Sequence, residues 1–435
     1  MTDFIDSAGD DSSRKPDFEP NASNLRDEST VPYSMNRKPN PLSGRQDEHH
    51  SNRTAAAFRP GNNTGFPAET VGSRELGVGA PVENSVQKYR QLLMSGQVDV
   101  ADQLQLHRVL GEGGQGMVYL SERGGADGFR LPVALKFFSP EVFRNVEEYE
   151  RVMGYSAKVA AKVSQIQHDN LLDVRNWFTI NGIRIMEMEW VDGFDLYQLM
   201  SNEMLNWMKQ YLPKQEFEYK TNVVVTSGPS RPRLKPGIAL TIIRDCLNAL
   251  EALHCRGIVH SDIKPANIML KKTGHAKIID LGAAFFYQEM PPSRLCTPYY
   301  SAPEIIKDCH ISRSSPQSDI ASLGYVLIEL LSGCSPFGSS EQVPLKVLLD
   351  KKLNLVNELG TILPQDVLRN ELLVNFCKRM IDPDLRHRFQ TAQDAIVGRG
   401  GVADIMRGLI RGNLASEFDY DIRSWISGLE QRPED

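Results

Sequence analysis

The stretch from residue 258 to 282, IVHSDIKPANIMLKKTGHAKIIDLG, constrains the fold of this 435-residue chain more than any other. It carries four polar side chains on two neighbouring turns: Asp262, Lys264, Asn267 and Asp280. A predicted β-hairpin with glycine in its tight turn joins the two. Phosphoryl transfer needs a group that orients the acceptor hydroxyl, a cation that offsets the moving charge, and oxygen ligands for Mg²⁺. The stretch therefore predicts a phosphoryl-transfer site.

The two turns resemble the catalytic loop and the metal-binding segment of protein kinases. HSDIKPAN stands where that family has H-R-D-L-x-x-x-N, and Asp280-Leu281-Gly282 stands where it has D-F-G. The resemblance implies that Asp262 is the catalytic base and that Lys264 steadies the transferred phosphate. It also implies that Asn267 and Asp280 hold Mg²⁺. A hairpin that merely ends in aspartate is the weaker interpretation, because the spaced match extends over many positions.

A glycine-rich turn between two short apolar strands reads LGEGGQGMVY from residue 110 to 119. Glycines let the backbone approach phosphates without a Cβ clash. Dinucleotide-binding folds have such turns too, but there the chain runs straight into a helix, whereas here another strand, Leu131 to Phe138, follows. The kinase resemblance implies ATP contacts along the whole turn: Leu110, Gly111, Glu112, Gly113, Gly114, Gln115, Gly116, Met117 and Val118.

The strand after the glycine-rich turn places Ala134 and Lys136 on one face, because strand side chains alternate. The resemblance implies that Ala134 lines the adenine pocket and that Lys136 holds the α and β phosphates of ATP. Residues 183 to 196, IRIMEMEWVDGFDL, resemble the last small-lobe strand and the hinge of a kinase. The ATP contacts implied there are Met188 as gatekeeper, the hinge from Glu189 to Val191, and Asp195 at the ribose.

In protein kinases a helix glutamate pairs with the strand lysine, and here the sequence departs from the pattern. A helix is predicted over roughly Pro140 to Gln167, and the expected place of the glutamate falls on Val159. Counting forward from the lysine leaves Glu150, and less favourably Glu148 and Glu147, although all three could be solvated. The partner of Lys136 is left open.

The resemblance covers about residues 105 to 395 and implies an α+β, two-lobed protein kinase fold. Its N-lobe is small and β-rich with one main helix, and its C-lobe is larger and mostly helical. The predicted divisions are a disordered polar tail (1–83), a short helix and lead-in (84–103), the kinase domain (104–395, with lobes at 104–190 and 191–395) and a helical extension (396–435).

Residues of about 203–236 form an insertion that does not fit the standard kinase plan. They predict a short helix, a strand or extended arm from Thr221, and a Pro-rich loop. Basic side chains at Arg231, Arg233 and Lys235 suit a solvated insertion, which is favoured, or docking of an acidic partner. In the C-terminal extension, apolar side chains recur at helical spacing and predict a helix that packs on the C-lobe: Phe418, Ile422, Trp425, Ile426 and Leu429.

The segment after Gly282 is short and ends in Ala302-Pro303-Glu304, as in kinases. The resemblance implies that Thr297 bonds to the catalytic aspartate and lysine, which favours Ser/Thr acceptors on proteins. Position 261 is serine where many kinases have the arginine that receives an activation-loop phosphate. Ser261 therefore predicts activity that does not depend on phosphorylation of this loop.

Two further contacts follow from the resemblance. Asp319, at the start of a predicted buried helix, should brace the backbone of the catalytic loop. Glu304 should pair with either Arg386 or Arg388, and the sequence does not choose between them.

Composition narrows the function classes. A formal charge of −6 gives no basic footprint, so nucleic acid is an unfavoured partner. No apolar run reaches the roughly 18 residues of a membrane span, and the N-terminus lacks the features of a signal peptide. We therefore expect a cytoplasmic protein whose six cysteines, none with CxxC spacing, are reduced.

Three functions compete at this point. The favoured one is an active Ser/Thr protein kinase of the bacterial, eukaryotic-like (Hanks) type that uses ATP and Mg²⁺ and has protein substrates. The tail's serines and threonines are acceptors that it could autophosphorylate, although a solvated tail is the simpler interpretation. A nucleotide-binding pseudokinase scaffold is the alternative, because the helix glutamate is missing. A kinase acting on small molecules is the third.

Overall fold

The computed structural model describes residues 82–95, 97–98, 104–292, 297–307, 314–338, 343–412 and 418–429. Nearly all of the tail for which disorder is predicted lies outside these residues. Within them the expected two-lobed α+β fold is confirmed, since an antiparallel sheet with one long helix precedes a mostly helical region.

An antiparallel sheet forms the N-lobe. Its strands are β1 (Gln97–Val98), β2 (Leu104–Gly113), β3 (Gly116–Gly124), β4 (Arg130–Phe138), β5 (Val174–Ile180) and β6 (Ile183–Glu189), in the order β1-β2-β3-β4-β6-β5. Side chains of β4 alternate between two cores: Leu135 and Phe137 pack with Tyr89 of helix α1 (Glu83–Ser95), whereas Ala134 joins the larger core. This alternation puts Ala134 and Lys136 on the face that the sequence predicts.

Helix α2 (Val146–Val163) is the main helix of the N-lobe and is shorter than predicted at both ends. Residues Pro140–Val142 form a separate 3-10 turn. The α-helix begins only after Asn145, whose side chain accepts a hydrogen bond from the Glu148 N–H at 2.8 Å, as a helix N-cap does.

Twelve helices are described in the C-lobe and the extension beyond it. They are α3 (Leu196–Leu199), α4 (Asn202–Tyr211), α5 (Lys214–Val223), α6 (Pro236–His254), α7 (Pro303–Lys307), α8 (Pro316–Ser332), α9 (Leu345–Ile362), α10 (Gln365–Leu368), α11 (Glu371–Ile381), α12 (Ala392–Val397), α13 (Val402–Gly412) and α14 (Phe418–Leu429). Helices α6 and α8 pack together at the centre, and every residue of α8 from Ser318 to Ser332 is buried. A Ser315–Ser318 capping box starts α8, and Gly333 at φ +71° ends it.

Seven short strands are described among the helices of the C-lobe. They are β7 (Gly193–Asp195), β8 (Val225–Thr226), β9 (Arg233–Leu234), β10 (Ile258–Val259), β11 (Ile268–Lys271), β12 (Ala276–Ile278) and β13 (Phe285–Phe286). Strands β11 and β12 form the predicted hairpin, with Gly274 at φ +89° in its turn. Because β7 pairs with β11 and β10 pairs with β13, the catalytic loop between β10 and β11 is tied to both flanking segments.

The insertion differs from its prediction in two respects. The extended arm expected from Thr221 begins later, because residues 221–223 are the last turn of α5 and the strand is β8, Val225–Thr226, paired with β9. The insertion is also packed rather than solvated, because Val224, Val225 and Leu234 are at most 1% exposed. Its arginines pair inside the chain, Arg231 with Glu329 and Arg233 with Asp366.

The predicted packing of the C-terminal helix is confirmed. Ile422, Trp425, Ile426 and Leu429 of α14 are buried, and the helix lies against α5 and α6.

Among the helices that the structure describes, none combines the length and apolar character that crossing a membrane requires. Free thiols are found at all four cysteines within the described residues: Cys246, Cys255, Cys334 and Cys377. The other two, Cys296 and Cys309, lie outside them.

Candidate active site

Three polar side chains of the catalytic loop and the Thr297 hydroxyl form a cluster of contacts centred on Asp262. The Asp262 carboxylate accepts hydrogen bonds from the Thr297 hydroxyl at 2.6 Å and the Asn267 amide at 3.0 Å. Lys264 Nζ lies 2.8 Å from Asp262 Oδ2 and donates to the Thr297 hydroxyl at 3.1 Å. The contact predicted for Thr297 with both residues is confirmed.

Buried Asp319 fixes the backbone of this loop, as predicted. Its carboxylate accepts hydrogen bonds from the backbone N–H of His260 at 2.8 Å and of Ser261 at 2.9 Å. His254 Nε2 lies 2.9 Å from the same carboxylate. These bonds hold Ser261 at φ +65°, a conformation that non-glycine residues rarely adopt. The loop is thereby fixed one residue before Asp262.

Asp280 lies in the turn that follows β12. Its carboxylate accepts a hydrogen bond from the Gly282 N–H at 3.0 Å and pairs with Lys136 Nζ at 2.5 Å. Burial raises the pKa of Asp280, but the charge of Lys136, these hydrogen bonds and the charge of Lys264 outweigh burial and lower the pKa to about 2. The carboxylate therefore stays ionised near neutral pH, as a metal ligand must.

No α2 glutamate pairs with Lys136, within the part of the chain that the structure describes. Lys136 donates instead to Asp280 and to Gln115 Oε1, the latter at 2.9 Å. Glu150, the first candidate, forms an ion pair with Arg184 on the far side of α2.

The other two candidates also lie elsewhere. Glu148 accepts a hydrogen bond from the Arg144 N–H, and Glu147 is exposed in the first turn of α2. The physical reason is the orientation of the helix, because α2 turns an apolar face inward: Tyr149, Val152, Met153, Val159 and Ala160.

The glycine-rich turn between β2 and β3 folds over the site. Gln115 reaches Gly282 so closely that a Cβ at Gly282 would lie 1.8 Å from Gln115 Oε1. At Gly116, with φ +137°, a Cβ would lie 1.8 Å from the Phe137 carbonyl oxygen, so only glycine fits. The remaining residues implied in ATP binding here surround this turn: Leu110, Gly111, Glu112, Gly113, Gly114, Met117 and Val118.

The predicted adenine slot lies between β4 and the start of the C-lobe. Met188 is buried and stands opposite Ala134 in the β4–β6 register. The hinge residue Glu189 pairs with buried Lys277, and Val191 follows, 8% exposed.

Asp195, the implied ribose contact, caps helix α3. Its carboxylate accepts a hydrogen bond from the Gln198 N–H at 2.9 Å. Burial raises the pKa of Asp195 to about 6, although hydrogen bonds from backbone N–H groups partly oppose the shift.

Glu304 pairs with Arg388 at 2.8 Å and 3.2 Å, which settles the choice that the sequence left open. Arg386 is paired with Asp384 instead. The Glu304–Arg388 pair fixes the end of the segment that carries Thr297.

The donor set suits Mg²⁺ held together with phosphate oxygens. The Asn267 amide nitrogen is engaged by Asp262, which leaves Asn267 Oδ1 as an acceptor for a cation. Asp280 supplies an ionised carboxylate. Among the described residues, no group of three or more His, Cys, Asp and Glu side chains could hold a metal ion. Mg²⁺ is commonly bound by one or two protein ligands, with phosphate oxygens and water completing its shell.

The sequence matches the family model "Protein kinase domain" over residues 104–397, the same span as the folded lobes and the site. The chain belongs to the protein kinase domain family. It is 28% identical over 300 residues to the serine/threonine-protein kinase PrkC of Bacillus subtilis, covering 68% of this chain and 40% of that protein.

Two other bacterial relatives have similar names. The probable serine/threonine-protein kinase PknB of Lactococcus lactis is 26% identical over 300 residues, covering 68% of this chain and 41% of that protein. The serine/threonine-protein kinase PknD of Mycobacterium tuberculosis is 29% identical over 237 residues, covering 54% of this chain and 30% of that protein. The chain thus spans less than half the length of these relatives.

Sequence reasoning missed three contacts around the site: Gln115 with Lys136, Lys277 with Glu189, and Arg231 with Glu329. Each joins residues that are distant in the sequence. Two signals were available in the sequence: the polar Gln115 inside the glycine-rich turn, and Lys277 amid the apolar residues of β12. Neither signal identifies a partner.

Proposed function

We propose that this protein is a Ser/Thr protein kinase that transfers the γ-phosphoryl group of ATP to serine and threonine hydroxyls of protein substrates. The observation that carries the proposal is the convergence of Thr297, Lys264 and Asn267 on the Asp262 carboxylate. In this arrangement Asp262 can orient an acceptor hydroxyl and accept its proton, while Lys264 stabilises charge on the transferred group.

Lys136 would bind the α and β phosphates, and Asn267 and Asp280 would hold Mg²⁺. A magnesium ion bound there would offset negative charge on the phosphates. Asp280 is well suited to this role because it remains ionised and is oriented by the Gly282 N–H and by Lys136.

The segment containing Thr297 supports a protein acceptor rather than a small molecule. It is anchored by the Glu304–Arg388 pair and leaves the Thr297 hydroxyl on the catalytic aspartate. The relatives named as serine/threonine-protein kinases support the same acceptor class. We expect a cytoplasmic enzyme whose own tail is one candidate substrate.

The alternative is a pseudokinase scaffold, favoured by the absence of an α2 carboxylate beside Lys136. A radiolabelled ATP assay with a generic protein substrate separates the two functions. We expect wild-type protein to label the substrate and Asp262→Asn to lose at least about 100-fold of that activity. Nucleotide binding without any transfer by the wild type would contradict the proposal and support the scaffold.

A further inference from the structure

The insertion reaches into the C-lobe core through Arg231. The Arg231 guanidinium lies 2.5 Å from Glu329 Oε1, and the Glu329 residue is 2% exposed. Backbone N–H groups of Ser230 and Arg231 donate to the Gly333 carbonyl at 3.2 Å and 3.0 Å. Both the backbone and the side chain of Arg231 are therefore fixed at the C-terminal end of α8.

Glu329 connects this arginine to the segment that carries Thr297. Its second carboxylate oxygen accepts a hydrogen bond from the Tyr300 hydroxyl at 2.8 Å. The backbone N–H groups of Tyr300 and Ser301 both donate to the Thr297 carbonyl at 3.0 Å. The Thr297 side chain in turn contacts Asp262. A continuous series of polar contacts thus runs from the insertion to the catalytic aspartate.

Charge explains why Arg231 matters in this series. Burial raises the pKa of Glu329, and Arg231 and the Tyr300 hydroxyl oppose that rise. A buried carboxylate without its cation would favour the neutral acid, which accepts a hydrogen bond less strongly than a carboxylate does. Loss of Arg231 would therefore weaken the bond that retains Tyr300.

A second anchor holds the same turn at the neighbouring residue. Lys352 is fully buried and donates to the Tyr299 carbonyl at 2.7 Å. Its ammonium lies 3.9 Å from the ring centres of Tyr325 and Phe337, whose faces attract a cation. With Tyr299 fixed by Lys352, the Tyr300 side chain is the contact through which the insertion acts on the turn.

We propose that Arg231 is a positioning residue of the kinase reaction, which holds the Thr297 turn against Asp262 through Glu329 and Tyr300. This inference rests on the proposed function. In other kinases, an ion pair between an arginine and a phosphate on the activation loop orders that loop. In this chain, the insertion supplies an ordering contact of the same kind through Arg231. Arg231 therefore acts on the part of the site that would bind the acceptor hydroxyl, and not on the part that would bind the nucleotide.

The test compares steady-state kinetics of single variants with a generic protein substrate. We expect Arg231→Ala to lower kcat about tenfold while leaving the KM for ATP unchanged, since the interaction acts on the transferring geometry. Arg231→Lys should retain part of the activity. Arg233→Ala is the matched control, because this neighbouring arginine of the insertion pairs with Asp366 and, among the described residues, makes no polar contact with the Thr297 turn. Its kcat should equal that of wild type.

Tyr300→Phe keeps the ring and removes only the hydroxyl, so it tests the same contact even if Arg231→Ala folds poorly. We expect a similar loss of kcat, and little further loss when both substitutions are combined. Wild-type kcat in Tyr300→Phe, or losses that simply multiply in the double variant, would overturn the inference. The proposed function stands even then, provided that wild-type protein transfers phosphate and Asp262→Asn does not. If wild-type protein shows no transfer, the proposed function itself fails.

Discussion

Lys136 is held by two partners that come from different parts of the site. Asp280 offers a permanent counter-charge, whereas Gln115 belongs to the glycine-rich turn and its amide oxygen occupies one N–H direction of the lysine. If the phosphates of ATP bind Lys136 as proposed, we expect Gln115 to compete with them for one of the three N–H groups of the lysine.

Removing this competitor should tighten nucleotide binding. We expect Gln115→Ala to lower the KM for ATP about threefold with little change in kcat, because less binding energy is spent on opening the turn. Gln115→Glu should act in the opposite direction, since a carboxylate pairs with Lys136 more strongly than an amide does. A rise in KM with Gln115→Ala would show that the glutamine assists the nucleotide instead.

Asp195 should make stability depend on pH. Its pKa is raised to about 6 in the folded protein, so the folded state retains a proton that the unfolded chain releases near pH 4. Wild-type stability should fall by about 3 kcal/mol as pH rises from about 4 to about 6, and then level off. Asp195→Asn keeps a good helix cap. Because asparagine does not ionise, this variant should not lose stability over that pH range.

Urea unfolding of both proteins between pH 4 and pH 8 checks this expectation. The free energy of unfolding of Asp195→Asn, relative to wild type, should increase up to about pH 6 and stay constant above it. A difference that does not change across this range would contradict the expected ionisation of Asp195.

At the scale of elements, helix α14 and the insertion form one packed unit. Trp425 is fully buried and its indole N–H points to the Met208 sulfur of α4, while Lys220 of α5 donates to the Ser424 carbonyl. The C-terminal helix therefore closes over the insertion, which in turn carries Arg231. Packing of α14 thus holds the helices of the insertion in place.

Truncation of Trp425 should destabilise the protein strongly. We expect Trp425→Ala to lower the free energy of unfolding by about 3 to 5 kcal/mol, because it leaves a large buried cavity. Tyr420→Ala, on the same helix but 54% exposed, is the control and should change stability by less than about 1 kcal/mol. Chemical denaturation measures both, and equal effects would mean that α14 is not docked through Trp425.

The elements that could be predicted from the sequence are those whose signals are local. The β11–β12 hairpin, the catalytic loop and α14 each have their residues within one short stretch. Residue spacing indicates the hairpin and the helix, and the resemblance to kinases indicates the loop. The partner of Lys136 could not be predicted, because it depends on which face α2 turns inward. The insertion was misjudged for a related reason: the charge of Arg231 indicates solvent, and only the three-dimensional structure reveals buried Glu329 beside it.

At the scale of the whole molecule, the Thr297 segment is anchored at several points by the body of the protein. Arg388, Lys352 and the Arg231–Glu329 pair all hold it, and Ser261 occupies the place of a phosphate-receiving arginine. We therefore expect that the proposed kinase activity does not require a phosphate on the segment.

Phosphatase treatment tests this expectation. We expect purified protein to retain its turnover after complete dephosphorylation, to within about twofold, because neutral and ionic contacts already order the described part of the segment. Mass spectrometry confirms that phosphate has been removed. Abolished turnover after treatment would show that a phosphate is required.

Gly274, in the turn of the catalytic hairpin, has a consequence for how this architecture can vary among relatives. A Cβ there would lie 2.5 Å from the Asp419 carbonyl oxygen of α14, so a side chain at this position and a docked C-terminal helix exclude each other. Lineages that keep the helix should keep glycine at this point. Relatives without the helix could have asparagine there, because asparagine tolerates positive φ. We therefore expect glycine at this position and the docked C-terminal helix to occur together.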